Sequence, residues 1–481
     1  MYVSRVTIEN IKSFDGPRKV DLTLTRPDGS HAGWTVLAGR NGAGKTTLLR
    51  ALALALSGPV AARGLVQGFE NWVTRGAESG SASAEIIRDK DFDKFTASGR
   101  TQNKFGTGLR WTPPGESSAT GRKSAQPALG EIRNNSRTQS ASAAQRGPWA
   151  DNPVGWFCAA YGPFRRMAGG SGDVQRLMLA SGPVARQASL FHEDASLAEG
   201  VAWLIEQHLR ALEGREGASA LKEAALSVLG DGLLPDGYRI KDVDSEGLWV
   251  TRGGHRFPLR EMSDGFRTVA ALVVDLLKQI HDTFGDHALG GGGDGPSPLQ
   301  VPGVVIIDEI DAHLHVSWQR RIGPWLTTHF PNIQFIVTTH SPYICQAADP
   351  GGLIRLPGVD EGAAPEVVPE DLYERVVYGS GDDAVLSDLF GLDTPYSERA
   401  EYARAEFVAL ESKVYEGDTS PETVARYKEL KSLLTSSPTA RAHEVSARLY
   451  RIADQVHDDG SEGSVSGGGV REDGGEAGEE K

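Results

Sequence analysis

Residues 39–46 read GRNGAGKT, and the fold follows from what this stretch can do. It fits the pattern GxxxxGK[ST]. Gly39, Gly42 and Gly44 let the backbone curl so that successive N–H groups face one centre, a cradle suited to phosphate. Lys45 reaches the terminal phosphate oxygens, and the Thr46 hydroxyl is placed to ligate Mg²⁺. Asn41 lies within the loop, and Thr47 offers a further hydroxyl to phosphate. The flanks agree: WTVLA at 34–38 is a buried strand, and KTTLLRALALALSG from Lys45 is a helix ending at the Gly58-Pro59 breaker.

Two later segments repeat the pattern of a buried strand with polar residues at its carboxyl end, where ligands of open α/β sheets gather. VVIIDE at 304–309 ends in two carboxylates. Asp308 is the candidate for holding the metal through water. Glu309 is the candidate for orienting and deprotonating the attacking water. IVTTHSP at 336–342 ends in His340, placed to hydrogen-bond a γ-phosphate or that water. A second anion-binding candidate lies at REMSDGFR, 260–267. Ser263 and Gly265 there precede an apolar helix whose unpaired N–H groups favour negative charge.

In this order, the four segments resemble the ABC-type ATPase heads of the RecF, structural-maintenance-of-chromosomes, Rad50 and OLD families, over roughly residues 1–356. In such heads the 260–267 stretch is the signature loop, L-S-x-G-[EQ]. Here Met262 replaces Leu and Phe266 the acid or amide, while Ser263 and Gly265 are kept. The resemblance implies that this loop contacts the nucleotide bound to a second subunit. It also implies a glutamine loop after the strand ending near Tyr161. The residues there are Tyr161-Gly-Pro-Phe-Arg-Arg, and Arg165 is the candidate for that task. DEIDAHLH at 308–315 resembles the RecF and OLD branch. Its Asp311, His313 and His315 read better as a dimer-contact loop than as a metal site.

The implied fold class is α/β: a P-loop mixed sheet with helices, antiparallel β and helical subdomains, and a helical C-terminal appendage. Within the head, 113–148 reads as a flexible insertion with almost no apolar content, and 186–262 as a lobe of helices and a strand pair. Residues 357–456 read as mainly helical, with helices near 397–414, 421–434 and 438–456. Residues 457–481 read as a disordered acidic tail: 458–481 holds eight acids and two bases.

Composition excludes several classes. The net charge of −14 argues against a wholly nucleic-acid-binding surface. Two cysteines support neither a disulfide framework nor a multi-cysteine metal site, and fit a cytoplasmic protein. No unbroken run approaches the ~20 apolar residues of a membrane span. Neither a long heptad repeat nor a Toprim domain is expected. Compact heads of this kind resemble ATPase components of bacterial anti-phage systems such as Septu and the retron-associated ATPases, which act with a separately encoded HNH nuclease. The resemblance therefore implies an ATP- and Mg²⁺-dependent switch. It would be a dimer sharing two ATP sites, or a higher oligomer, that controls a nuclease. The alternative is a RecF-like DNA-repair ATPase that binds DNA directly.

Overall fold

The computed structural model describes residues 1–113, 127–132, 142–165, 172–179, 182–285, 288, 298–417 and 420–434. The expected helix at 438–456 and the acidic tail lie outside them. In chain order the first strands are β1 (Tyr2–Glu9), β2 (Val20–Thr23), β3 (Trp34–Ala38), β4 (Gly80–Ile87) and β5 (Lys104–Thr112). Then come β6 (Ala128–Glu131), β7 (Cys158–Tyr161), β8 (Arg239–Asp244), β9 (Gly247–Arg252) and β10 (His255–Pro258). The last are β11 (Gly303–Ile307), β12 (Ile333–Thr339), β13 (Leu353–Arg355) and β14 (Glu366–Val367).

Helices begin with α1 (Lys45–Leu65), α2 (Ala143–Arg146), α3 (Gly172–Leu179) and α4 (Pro183–Phe191). They continue with α5 (Ala198–Leu212), α6 (Ala218–Gly230), α7 (Asp264–Phe284), α8 (Val316–His329) and α9 (Pro342–Cys345). α10 (Glu370–Tyr378), α11 (Gly381–Val385), α12 (Glu398–Tyr415) and α13 (Pro421–Leu434) follow.

The strands form three sheets. β2-β1-β4-β5-β6 is antiparallel, β10-β9-β8 is a meander, and β14-β13-β3-β12-β11-β7 is the main sheet. In the last, β13, β3, β12, β11 and β7 run parallel. Every residue of β3, β11 and β12 is buried, as expected of strands covered on both faces. The antiparallel and main sheets are joined at one buried polar point. The Gln334 side chain accepts from the Val3 N–H at 2.8 Å and donates to the Val3 carbonyl at 3.0 Å. That pairing lets an amide stand in a fully buried strand without an unsatisfied group.

By length and composition α1 is apolar enough to cross a membrane, which no unbroken apolar run announced. Most of it is instead buried in the core between Leu48 and Leu65, against β4 and β5, with Val60 exposed. The break expected at Gly58-Pro59 is present: Gly58 is non-helical, and a second helical segment runs on to Leu65. Gly58 sits at φ 84 and the helix kinks there. Pro59 has no N–H to give the Ala55 carbonyl, so that acceptor is orphaned. The Trp149 indole N–H fills the gap, 3.2 Å from the Ala55 carbonyl and 3.1 Å from that of Leu56. The ring lies where a Gly58 Cβ would stand, 2.6 Å from its position, so only glycine fits.

Trp149 abuts the expected flexible insertion, of which 114–126 and 133–141 lie outside the described residues, while 127–132 and 142–148 carry short elements that pack on the rest of the chain. β6 adds to the edge of β5, and Leu129 on it is buried. Arg63 of α1 donates to the Leu129 carbonyl at 2.8 Å. α2 is closed by a capping box between Ser142 and Gln145. Gln145 also donates to Glu131 at 2.8 Å. Short polar elements can be carried by the edge and helix they pack on. Replacing 113–148 with a short Gly/Ser linker should lower the melting temperature by roughly 5 °C or more, the scale of a few kcal/mol in a domain this size. An unchanged melt would show that these contacts contribute nothing.

The chain divides into two compact units, Met1–Asp393 and Thr394–Lys481. The first extends past the expected boundary at 356. β13 pairs with β3, β14 pairs with β13, and Tyr373 of α10 donates to the Ala348 carbonyl at 2.8 Å. In the second unit α12 and α13 pack as a hairpin. Phe407 stacks on Tyr427 at 5.1 Å, and Arg426 holds both oxygens of Glu406 at 2.7–2.8 Å.

Candidate functional site

The strand order β3-β12-β11-β7 places four loops side by side at one carboxyl edge. The 39–44 loop leaves β3, His340 follows β12, Asp308 and Glu309 follow β11, and 162–165 follows β7. Parallel neighbours all point the same way, so residues far apart in sequence converge.

The 39–44 loop has the geometry its glycines require. Gly42 and Gly44 sit at φ 79 and 101. A Cβ on Gly39 would lie 2.4 Å from the Leu356 carbonyl, and one on Gly44 2.7 Å from the Phe14 ring. Lys45, buried, donates to the carbonyls of Gly39 at 2.8 Å and Arg40 at 3.1 Å. Burial pulls its pKa down, while Asp308, Glu309 and Asp311 push back. Arg18 braces the loop from below by donating to the Ala43 carbonyl at 2.9 Å. Asn41 is exposed and Thr47 half-buried beside it.

Thr46 Oγ1 donates to Asp308 Oδ2 at 2.7 Å. A hydroxyl and a carboxylate converging from two elements form an oxygen donor pair suited to Mg²⁺, which keeps most of its water and takes one or two protein oxygens. The other Asp308 oxygen accepts from Thr338 Oγ1 at 2.6 Å, and Thr338 Oγ1 accepts from the Glu309 N–H at 2.7 Å. Thr339 donates to Asp311 at 2.5 Å, and the His340 N–H reaches the same oxygen at 3.3 Å. Sequence reasoning did not single out these threonines. Their signal was present: two adjacent hydroxyls end a fully buried strand.

Glu309 is half-buried and has φ 47, a left-handed conformation rare outside glycine and asparagine. His340 stands at the end of β12. Partial burial and Lys45 push its pKa down while Asp311, Glu309 and Asp308 push back, which favours the neutral ring, a form that can donate a hydrogen bond to an anion.

Arg165 is bound into the acidic turn. It is buried, not displayed. Nη1 donates to the Gly162 and Asp308 carbonyls, both at 3.0 Å, and Nη2 to those of Glu309 at 3.1 Å and Ile310 at 3.4 Å. All four Nη hydrogens are engaged by backbone carbonyls. Burial lowers its pKa from 12.5 to about 10, so it stays charged at neutral pH. A guanidinium here serves the acidic turn rather than a ligand.

The Ser263–Gly265 turn opens α7. Ser263 is the N-cap residue, exposed, and its side chain makes no capping bond. Among the described residues no hydrogen bond joins this turn to its own 39–46 loop. A Cβ on Gly265 would lie 2.6 Å from the His313 carbonyl, and His313 itself holds φ 66. His315 accepts from the Ser317 N–H at 3.3 Å and so caps α8. Both histidines thus have positions set by local packing. α7 is also tied to the acidic strand's neighbour. Tyr161 OH donates to Asp275 at 2.9 Å, and the Tyr161 carbonyl accepts from Asp308 at 2.8 Å. Burial raises Asp275 to about 6. A cavity of about 540 Å³ lies between, lined by Arg165, Asp264, Thr268 and His313 among others.

A glycine cradle with its lysine, a Thr–Asp oxygen pair, an adjacent glutamate and a histidine stand together on one sheet edge, the elements of a P-loop ATPase site. Two family models match. One described as "AAA domain" matches residues 5–141, and one described as "AAA domain, putative AbiEii toxin, Type IV TA system" matches 210–346. The first contains the 39–46 loop; the second contains Ser263, Asp308, Glu309 and His340.

Among curated proteins, the chain is 38% identical over 135 residues to the Retron Ec83 probable ATPase of Escherichia coli, covering 26% of this chain and 23% of that protein. It is 25% identical over 344 residues to the Septu protein PtuA of Bacillus mycoides strain KBAB4, covering 71% of this chain and 38% of that protein. The chain therefore spans well under half the length of these relatives. Among solved structures it is similar to an Smc head bound to the C-winged helix domain of ScpA. That likeness has 17% identity, 76% and 98% coverage of the two chains, and a TM-score of 0.44.

Proposed function

We propose that this chain is a cytoplasmic ATP-hydrolysing switch that closes as a dimer and serves antiviral defence by controlling a separately encoded nuclease. The observation that carries the ATPase reading is the 2.7 Å contact between Thr46 and Asp308, with Glu309 next in the chain. The P-loop N–H groups and Lys45 bind the phosphates of ATP, held close by the Gly39 and Gly44 backbone. Thr46 and Asp308 would hold Mg²⁺, which would supply positive charge to offset that of the phosphates. Glu309 orients the attacking water and takes its proton, and neutral His340 donates to the γ-phosphate.

Ser263 supports the dimer reading. Its hydroxyl is exposed and free of its own helix, at the N-terminus of a 21-residue helix. Such a terminus stabilises anions, and the chain's own phosphate loop is elsewhere. ATP bound by one protomer is therefore contacted by Ser263 and Gly265 of the other, and hydrolysis releases the pair. The defence role and an HNH-type partner rest on the likeness to retron and Septu proteins.

Cells carrying this chain with its neighbouring genes should resist phage, and Lys45→Ala should abolish both ATP binding and that resistance. Full resistance in the Lys45→Ala cells would remove the switch reading. Tight DNA binding by the purified chain, insensitive to ATP, would favour the repair alternative.

A further inference from the structure

Glu309 is held in a conformation its own backbone disfavours. A non-glycine residue at φ 47 persists only where its surroundings over-determine it, and such strain collects at functional sites. Two groups do this work. Thr338 receives the Glu309 N–H at 2.7 Å. Arg165 takes the carbonyls of Asp308, Glu309 and Ile310, at 3.0, 3.1 and 3.4 Å. Three consecutive carbonyls converge on one cation, and the Glu309 carbonyl also accepts from the Ala312 N–H at 2.9 Å, so the turn is closed from both sides.

The guanidinium suits the task for a physical reason. Its planar fork presents hydrogens in fixed directions, whereas a lysine ammonium is a point charge on a flexible stem. Its charge also strengthens each bond to a neutral carbonyl. The cation comes from the loop after β7, where Nη1 also holds its own Gly162 carbonyl. The acidic turn is thereby locked to a second loop as well as to β12.

We infer that Arg165 is the positioning residue of the general base: by gathering the 308–310 carbonyls it aims the Glu309 carboxylate at the attacking water, without touching nucleotide. This rests on the ATPase reading of the site. Misplacing a reacting group by about 1 Å can cost roughly 10²-fold in rate, which sets the scale of the effect.

The test is a double-mutant cycle on the purified full-length chain. Arg165→Lys keeps the charge and loses the fork; Arg165→Met keeps the volume and loses every donor. Each is made alone and with Glu309→Gln, and single-turnover ATP hydrolysis and binding of a fluorescent ATP analogue are measured. Arg165→Lys should slow hydrolysis about 10- to 100-fold, with analogue affinity within a few-fold of the parent. In the Glu309→Gln background it should slow hydrolysis no further, because a misaimed base cannot matter once the base is gone. If Arg165→Met loses its cooperative melt, the lysine variant carries the comparison alone. Equal slowing in both backgrounds would make Arg165 independent of Glu309 and overturn the assignment. A parallel tenfold loss of analogue affinity would overturn it in favour of nucleotide contact, and so would a lysine variant hydrolysing at the parent rate. A parent chain that does not hydrolyse ATP at all refutes the ATPase reading instead, and the two failures are distinguishable.

Discussion

Glu309→Gln is expected to bind ATP and to accumulate as the closed, ATP-bound assembly, with hydrolysis slowed by about 10² to 10⁴, the usual cost of losing a positioned general base. Glutamine keeps the shape of the side chain and removes its basicity. The groups that hold the turn are untouched, because Thr338 and Arg165 bind the backbone of residues 308–310, not the carboxylate. The Thr46–Asp308 pair also survives, so the metal and phosphate contacts should persist. If a partner reads the closed state, this variant should change its behaviour without turnover, because differential affinity for one state is all that coupling requires. Size-exclusion chromatography with and without ATP provides the check. A variant that hydrolyses within tenfold of the parent rate would show that another group is the base.

Ser263→Arg is expected to leave ATP binding to the P-loop nearly intact while abolishing hydrolysis and ATP-driven association. The residue is exposed and its side chain caps nothing, so the larger side chain should not disturb the fold. The harm falls on whatever approaches the turn. Gly265 has no room to yield, with the His313 carbonyl 2.6 Å from where a Cβ would sit, so the loop cannot retreat. Mixing Ser263→Arg subunits with Lys45→Ala subunits makes the discriminating experiment. Each mixed dimer pairs an intact P-loop with an intact turn once, which should restore one composite site and measurable turnover. Inactive mixed dimers, shown to form by chromatography, would sink the shared-site reading.

The sequence by itself determined the features that depend on residue type and near-neighbour spacing. GRNGAGKT states its chemistry because glycines, a lysine and a hydroxyl at those offsets suffice to build a phosphate cradle. The apolar runs before Asp308 and His340 identified buried strands, and β3 and α13 fall where their patterns placed them, at 34–38 and 421–434. Ser263 was legible as a helix start for the same local reason.

Tertiary structure decided whatever depends on partners far along the chain. Order β3-β12-β11-β7 brings residues near 40, 165, 309 and 340 to one edge, and no local pattern encodes which strand lies beside which. Within the expected insertion, β6 is held by β5 and α1 rather than by its own composition. The helix break at Gly58 was visible, but the continuation to Leu65 depends on an indole donor supplied by Trp149. Arg165 shows the limit best. In sequence, an arginine after a strand suggests a hand held out to an anion. Buried, it must satisfy its hydrogens within the protein, and the carbonyls of residues 162 and 308–310 do so. Side-chain chemistry is carried by the sequence, but the direction in which a charge is used depends on burial, and burial is a property of the assembled fold alone.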